Sequence, residues 1–393
     1  MTGDGRRPVA RRSTRRSLVG LVGLVGLTVR ALPGWAAEPV GNDAQSSPWP
    51  VSRAVRLIAR HHIARPPLRT LPTERDALID RLHQLDPQFA ILPRRRDEPG
   101  GAGGIGVLSI DAPSGRILVP QPGEAAWRAG LRRPIRLAGG ADPSAGHIVG
   151  TWLDTGGPVE VDVVAGPVDE GAVHRRSLAG WDTLRVFLFV AGRTVGSARW
   201  QLSTVGRFAK GVPGSTPPAP LVLDLRYCAG GDVFEATDFG GLWLDGSRSW
   251  ITLRSAASAA VPLRAGAPGG ALHAPPDVVL VSEYTASACE QVVLGLVRHA
   301  GSLVLGERTA GKCSVQTIYP LDERHAIRFS TGRWNGPDDM PCDPNGIEPD
   351  RRVAGTVHSD ADVARALREL GLKRPASPAA PANAPIREHP VDH

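Results

Sequence analysis

DVVLVSEYTASACEQVVLGLVRHAGSLVLGE, residues 277–307, reads as strand, turn, helix and strand. DVVLVSE is apolar on both faces, as a strand covered on two sides must be. The helix predicted after it runs from about Ala286 to His299 and stops at Gly301, and SLVLGE is the next buried strand. LVLDLR (221–226) has the same texture; it runs into Cys228-Ala229-Gly230-Gly231, and a helix to about Trp243 follows. LRVFLFVAG, from Leu184, is another strand. Apolar strands alternating with helices predict an α/β fold with a mostly parallel sheet. Between these elements, VGSARWQLSTVGRFAKG is expected to be helical in its second half, GVPGSTPPAP (211–220) is a surface connection, and AASAAVPLRAGAPGGALHAPP is expected to be a long loop.

Upstream the texture changes twice. VSRAVRLIARHH and TERDALIDRLHQL place apolar residues three and four apart and predict two helices, the second starting at Thr73-Glu74 and stopping at Asp86-Pro87. This helical lead-in and a charged, glycine-rich linker, PRRRDEPGGAGG, occupy 37–100 and the residues just beyond. Residues 101–180 read as a β-rich unit. Its expected strands are GIGVLSI, RILVP, IRLAGG and VEVDVV; its expected helices are EAAWRAGL, ending at Gly130, and HIVGTWL. The core is expected over 181–373 and a Pro/Ala-rich, disordered tail over 374–393.

The formal charge of +7 on 393 residues is concentrated at the amino terminus. Residues 1–37 hold seven arginines against Asp4, a net of +6, which leaves about +1 for the rest. A nearly neutral body offers no electrostatic case for nucleic acid. STRRSLV (Ser13–Val19) resembles the twin-arginine export motif, followed by the apolar run LVGLVGLVGLTV and small residues at Gly34 and Ala36. Residues 1–36 are therefore expected to be a cleaved signal peptide, with no membrane span remaining, and the protein to be periplasmic or extracellular. An exported setting permits disulfides among Cys228, Cys289, Cys313 and Cys342; four cysteines allow three pairings, and the sequence does not choose.

The chemistry concentrates at the helix start in the opening stretch. Ser287 falls where a strand turns into a helix; serine is a favoured cap there, and the same position exposes a hydroxyl beside free N–H groups. A nucleophilic serine needs a base. His299 is too far along the same helix to serve. Lys312 follows the next strand, and it is one of only three lysines (with Lys210 and Lys373) among 46 basic residues. An amine can be neutralised by burial, whereas a guanidinium cannot. Gln316, four positions on, can hold the amine without adding charge.

TASACEQ, the 25 positions from Ser287 to Lys312 in GERTAGKCSVQ, Gln316, LVLDLRYCAGG and GIEPD (346–350) together resemble the C-terminal processing (tail-specific) peptidases of serine–lysine family S41. The resemblance covers roughly 50–372 and implies a crotonase/ClpP-like α/β core, a helical lead-in and a PDZ-like β-rich domain. It implies Ser287 as nucleophile, Lys312 as general base and Gln316 as its orienting partner. Gly230 and Ala288 would form the oxyanion hole, with Gly231 the alternative donor. Gly104, Ile105, Gly106 and Val107 would form a peptide-binding loop of the PDZ-like domain. The implied function is that of an exported serine endopeptidase acting on protein or peptide substrates, through their C-termini, with no metal or organic cofactor. Three departures stand out. Cys228 replaces the family's Asn, Cys289 takes a position usually filled by a small residue, and Arg133-Pro134 replaces the usual Gly-Asp turn. The thiols could brace, regulate or simply pack. Alternatives are a catalytically inactive peptide- or ligand-binding protein on the same fold, a Cys289 nucleophile, and an acyl-CoA enzyme.

Overall fold

The computed structural model describes residues 49–371 except 94–104, 113, 140–142, 144–145, 166–171, 204–219, 245, 247, 256–258 and 267–272. The expected signal peptide, the linker after Pro93, Gly104 of the glycine loop, the connection at 211–219 and the tail lie outside the described residues.

The lead-in consists of α1 (Val51–His61) and α2 (Arg75–Leu85), the latter bounded by Glu74 and Asp86. Their apolar stripes, Ala54, Val55 and Ile58 on one and Leu78 and Leu82 on the other, pack with Phe89, Ile91, Ile327 and Phe329. β1 (Ala90–Pro93) carries Ile91 of this cluster into a sheet of the core, pairing with the segment 325–328.

The β-rich unit is an antiparallel meander of β2 (Val107–Ala112), β3 (Gly115–Pro120), β4 (Ile135–Leu137), β5 (His147–Trp152) and β6 (Pro158–Asp162), with the one-turn helix α3 (Ala125–Arg128) between β3 and β4. The helix expected over HIVGTWL is strand β5. β-branched Ile148, Val149 and Thr151 favour the extended form. Gly150 also lets β5 close on β4, since a β-carbon there would lie 2.3 Å from the Arg136 carbonyl oxygen.

β7 (Val173–Leu178) and β8 (Trp181–Val186) form a hairpin that enters the core. α4 (Thr194–Ser203) covers the first half of the mixed segment, with Ala198 and Leu202, four apart, among its buried contacts; the second half, where a helix was expected, lies outside the described residues. β9 (Leu221–Asp224) leads to α5 (Val233–Gly240), capped by the Asp232 carboxylate, which accepts from the Phe234 and Glu235 amides. β10 (Arg248–Ser255) and β11 (Val261–Ala265) then form an antiparallel hairpin where a long loop was expected. β11 lies in an Ala/Gly/Pro-rich stretch that carries no strand signal of its own; pairing with β10 supplies it.

The opening stretch folds as β12 (Val278–Val281), α6 (Ala288–Ala300) and β13 (Leu303–Gly306). The long β14 (Ser314–Pro320) and β15 (His325–Asn335) follow, then β16 (Arg351–Arg352) and α7 (Asp360–Glu369). Among the described residues the central sheet has the order β16-β13-β12-β9-β8-β7, parallel throughout except for the β7–β8 pair. Side chains alternate across it. Leu221, Leu223, Val279 and Val281 face the cluster built on α4, α5 and α6, while Val222, Val278 and Leu280 face α7. The second sheet of the core, β1-β15-β10-β11 with β14 on β15, is antiparallel. It covers α5 and α6 through Trp250, which is seated on Gly240 and Gly295; a β-carbon at either glycine would meet the ring at 2.7 and 2.2 Å. The molecule is thus mixed α/β. Among the described residues no helix is long and apolar enough to cross a membrane.

Candidate active site

The carboxyl ends of β9, β12 and β13 lie side by side, so the loops that follow them converge on one edge of the central sheet. Hydrogen bonds lock these loops together. The Ala286 amide donates to the Cys228 carbonyl at 3.0 Å, and the Ala310 amide donates to the Thr285 carbonyl at 3.0 Å. The Thr285 hydroxyl donates to the Leu225 carbonyl at 2.8 Å. Beneath them Asp224 is fully buried, yet the Arg185 and Arg226 guanidinium groups hold its carboxyl well below the usual range. Arg226 reaches on to the Val357 carbonyl and Asp360, anchoring the segment that leads into α7.

Ser287 sits at the tip of the β12–α6 turn with φ 56° and ψ −119°, a region that favours glycine. A non-glycine residue persists there only if its surroundings hold it. Glu290 is the main holder. This buried carboxylate accepts the Ser287 amide on Oε2 at 2.7 Å and the Lys312 amide on the same oxygen at 2.9 Å. Its Oε1 accepts from the Thr309 hydroxyl at 2.6 Å and the Gly311 amide at 2.8 Å. The amide nitrogens of Ser287 and Lys312 can be no further apart than those two bonds laid end to end. Burial raises the Glu290 carboxyl above its usual range, and the four donors only partly offset it; with all four groups donating, the carboxyl acts as a pure acceptor.

Lys312 is fixed on every side. Its carbonyl accepts the Trp334 indole N–H at 3.0 Å, and its Nζ donates to Gln316 Oε1 at 3.3 Å. Gln316 Nε2 in turn donates to the Gln88 carbonyl at 2.9 Å. Burial, reinforced by the Arg328 cation, lowers the Lys312 amine to about 8, against smaller opposing pulls from Asp86 and Glu290. The neutral amine is therefore accessible at mildly alkaline pH.

Gly230 is brought against the serine: a β-carbon on Gly230 would stand 3.0 Å from Ser287 Cβ and 3.4 Å from its hydroxyl oxygen. The Gly230 amide donates to Cys289 Sγ at 3.1 Å. Ala288 is the first residue of α6, where the backbone N–H has no acceptor within the helix. Gly231, exposed, closes the same loop.

Two disulfides frame this arrangement, Cys228–Cys289 and Cys313–Cys342. The first ties the glycine loop to α6; the second ties the residue after Lys312 to the loop preceding GIEPD. Of the three pairings the sequence allowed, this is the one formed. It removes Cys289 as a thiol nucleophile, because its sulfur is already bonded. Glu290 was not singled out from the sequence, although Ser287-x-x-Glu290 is a helix-start signature that could have found it.

The glycine loop of the β-rich unit lies away from these residues along the chain. The Ile105 carbonyl accepts the Ala126 amide at 2.8 Å, and the Gly106 carbonyl accepts the Gln121 amide at 3.0 Å. Gly106 is glycine because a β-carbon there would strike Glu124 Cβ at 2.1 Å. Val107 opens β2, which lies at one end of its sheet.

Comparison with known proteins places the site in a family context. Residues 215–353 match peptidase family S41. That S41 segment contains β9 through β16 and every residue of the cluster around Glu290. A carboxyl-terminal-processing peptidase 3 from Arabidopsis thaliana is 33% identical over 129 residues, 33% of this chain and 25% of that protein. A carboxyl-terminal-processing protease from Synechocystis sp. is 30% identical over 142 residues, 36% of this chain and 33% of that protein. The alignments thus span about a third or less of these relatives. The fold extends further. The photosystem II D1 C-terminal processing protease matches with a TM-score of 0.55 at 19% identity, covering 80% of this chain and 95% of that one. An S41 protease from Bacteroides fragilis matches at 0.52 and 17% identity, covering 81% and 96%.

Proposed function

We propose that the protein is a serine endopeptidase of the C-terminal processing type, with Ser287 as nucleophile and Lys312 as base. The observation that carries this reading is the Glu290 carboxylate, which ties a strained serine and a half-buried, pKa-lowered lysine to one oxygen atom at the sheet edge. In the proposed mechanism the neutral Lys312 amine takes the Ser287 proton as the hydroxyl oxygen adds to a peptide carbonyl. Gln316 orients that amine through a neutral acceptor, so it does not raise the amine's pKa. The Ala288 amide and an amide of the glycine pair stabilise the oxyanion. Gly230 would have to turn its N–H from the Cys289 sulfur, a weak acceptor, to the substrate oxygen; Gly231 is the alternative donor. Collapse of the intermediate expels the amine leaving group, protonated by Lys312, and water then hydrolyses the acyl-enzyme. The β-rich unit, PDZ-like in its place in the chain, would present an extended substrate along the edge of β2 beside the Gly104–Val107 loop. Action outside the cytoplasm, after removal of the arginine-rich leader, belongs to the same proposal.

The test pairs activity with chemistry. Peptide or casein hydrolysis is measured for the mature protein, Ser287→Ala and Lys312→Ala, and a serine-directed phosphonate probe is mapped by mass spectrometry. The expected result is an adduct on Ser287 and turnover in the parent alone. Equal turnover in all three proteins would overturn the assignment.

A further inference from the structure

Arg328 lies on β15, opposite Ile318 of β14 and Ala90 of β1; two residues on, Ser330 lies opposite Gln316. Directly opposed residues and those two apart share a sheet face. Gln316, Ile318, Arg328 and Ser330 therefore point one way, and Ile327 and Phe329 point the other, into the cluster with α1 and α2. Gln316 and Arg328 are diagonal neighbours, with Cβ atoms roughly 7–8 Å apart by sheet geometry. The guanidinium thus stands beside the amide that holds Lys312, close enough for its charge to be felt at the lysine.

Arg328 is half-buried, and its Nε is enclosed with no hydrogen-bond acceptor among the described residues. The carboxylates whose charge reaches it are committed elsewhere. Asp86 accepts the Ser330 amide at 2.6 Å and the Gln88 amide at 3.1 Å, and Asp111 accepts Arg116 Nε at 2.9 Å. An enclosed guanidinium N–H without an acceptor is costly unless something supplies one. Its flat, forked donor set fits a carboxylate. The glycine loop of the β-rich unit is poorly suited to the same ligand, since the Glu124 side chain crowds Gly106 and would place a second negative charge there.

We infer that Arg328 forms an anion subsite in the cleft beside Lys312 and takes a carboxylate of the peptide substrate, either its free C-terminus or an acidic side chain. This deepens the peptidase reading and rests on it for the location of the scissile bond. A cation so placed selects the substrate's charge and also disfavours protonation of the neighbouring amine, so one residue links recognition to the state of the base.

The test uses the full mature chain and one fluorogenic peptide in four forms: C-terminal acid or amide, each with a glutamate or glutamine near the cleavage point. The parent is expected to favour carboxylate-bearing forms at least tenfold in kcat/KM. The acid-to-amide and Glu-to-Gln comparisons show which carboxylate is read. In Arg328→Gln the preferred ratio should fall towards one, and Arg328→Lys should retain part of it, which guards against loss of fold. An unchanged ratio in Arg328→Gln, or equal loss on charged and neutral peptides, overturns the subsite. Fluorescence anisotropy with Ser287→Ala and Ser287→Ala/Arg328→Gln reads binding without turnover. Arg328-dependent carboxylate preference there, with no hydrolysis by the parent, keeps the subsite and overturns the peptidase reading; hydrolysis with no such preference does the reverse.

Discussion

Replacing Lys312 with methionine should abolish hydrolysis and yet make the protein more stable near neutral pH. The lysine is held mostly by burial at a midpoint of about 8 instead of the ordinary 10.5. Below pH 8 it is charged in both folded and unfolded chains, and the folded state bears the whole cost, about 3 kcal/mol at 1.36 kcal/mol per pH unit. Methionine fills similar space without charge but leaves Gln316 Oε1 without its donor, which costs about 1 kcal/mol. The net gain at pH 7 is then about 2 kcal/mol. The sign of the pH dependence follows from proton counting. Between pH 8 and 10.5 the unfolded parent binds a proton that the folded parent does not, so the parent's stability rises with pH. The advantage of Lys312→Met must shrink across that window and reverse above it, to a deficit of about 1 kcal/mol left by the lost Gln316 bond. Urea titrations followed by tryptophan fluorescence at pH 7, 8.5 and 10 measure this directly. A variant no more stable than the parent at pH 7, or an advantage constant from pH 7 to 10, would refute the claim that the amine is held neutral-prone by burial.

Three further outcomes are expected. Ser287→Gly should remove turnover while raising stability by about 1 kcal/mol, because φ 56° costs glycine little; a lower urea midpoint would count against strain at this residue. Glu290→Ala strands three amides and a hydroxyl and should cost about 3 kcal/mol or more, with probe labelling of Ser287 lost even in whatever remains folded; retained labelling would separate the clamp from the site. Replacing Cys228 and Cys289 with serine opens a loop with a sequence separation of 61 and should cost about 4 kcal/mol on the chain-entropy model, read by thermal melting against the disulfide-intact parent.

Much of the α/β pattern was legible because its signals are local. Buried parallel strands such as LVLDLR and DVVLVSE are apolar at every position, and a glycine ends α6 where one was expected. HIVGTWL misled because its helix or strand choice depends on partners: β4 and β6 on either side make it a strand. The β10–β11 hairpin was invisible for the same reason, since Val261 and Leu263 acquire strand character from pairing with β10.

The site divides along the same line. Residue chemistry and spacing along the chain determined which groups deserved attention: a scarce lysine, a serine at a helix start, a glutamine four positions beyond the lysine, and a glycine pair after a buried strand. Proximity across the chain was decided only by folding. The single oxygen of Glu290 shared by residues 287 and 312, the choice among three cysteine pairings and the approach of Arg328 to the lysine all depend on which loops meet at the sheet edge. Burial and charge at a point are sums over neighbours distant in sequence. The lowered proton affinity of Lys312, on which the proposed chemistry turns, is therefore a property of the assembled molecule and not of the segment that contains it.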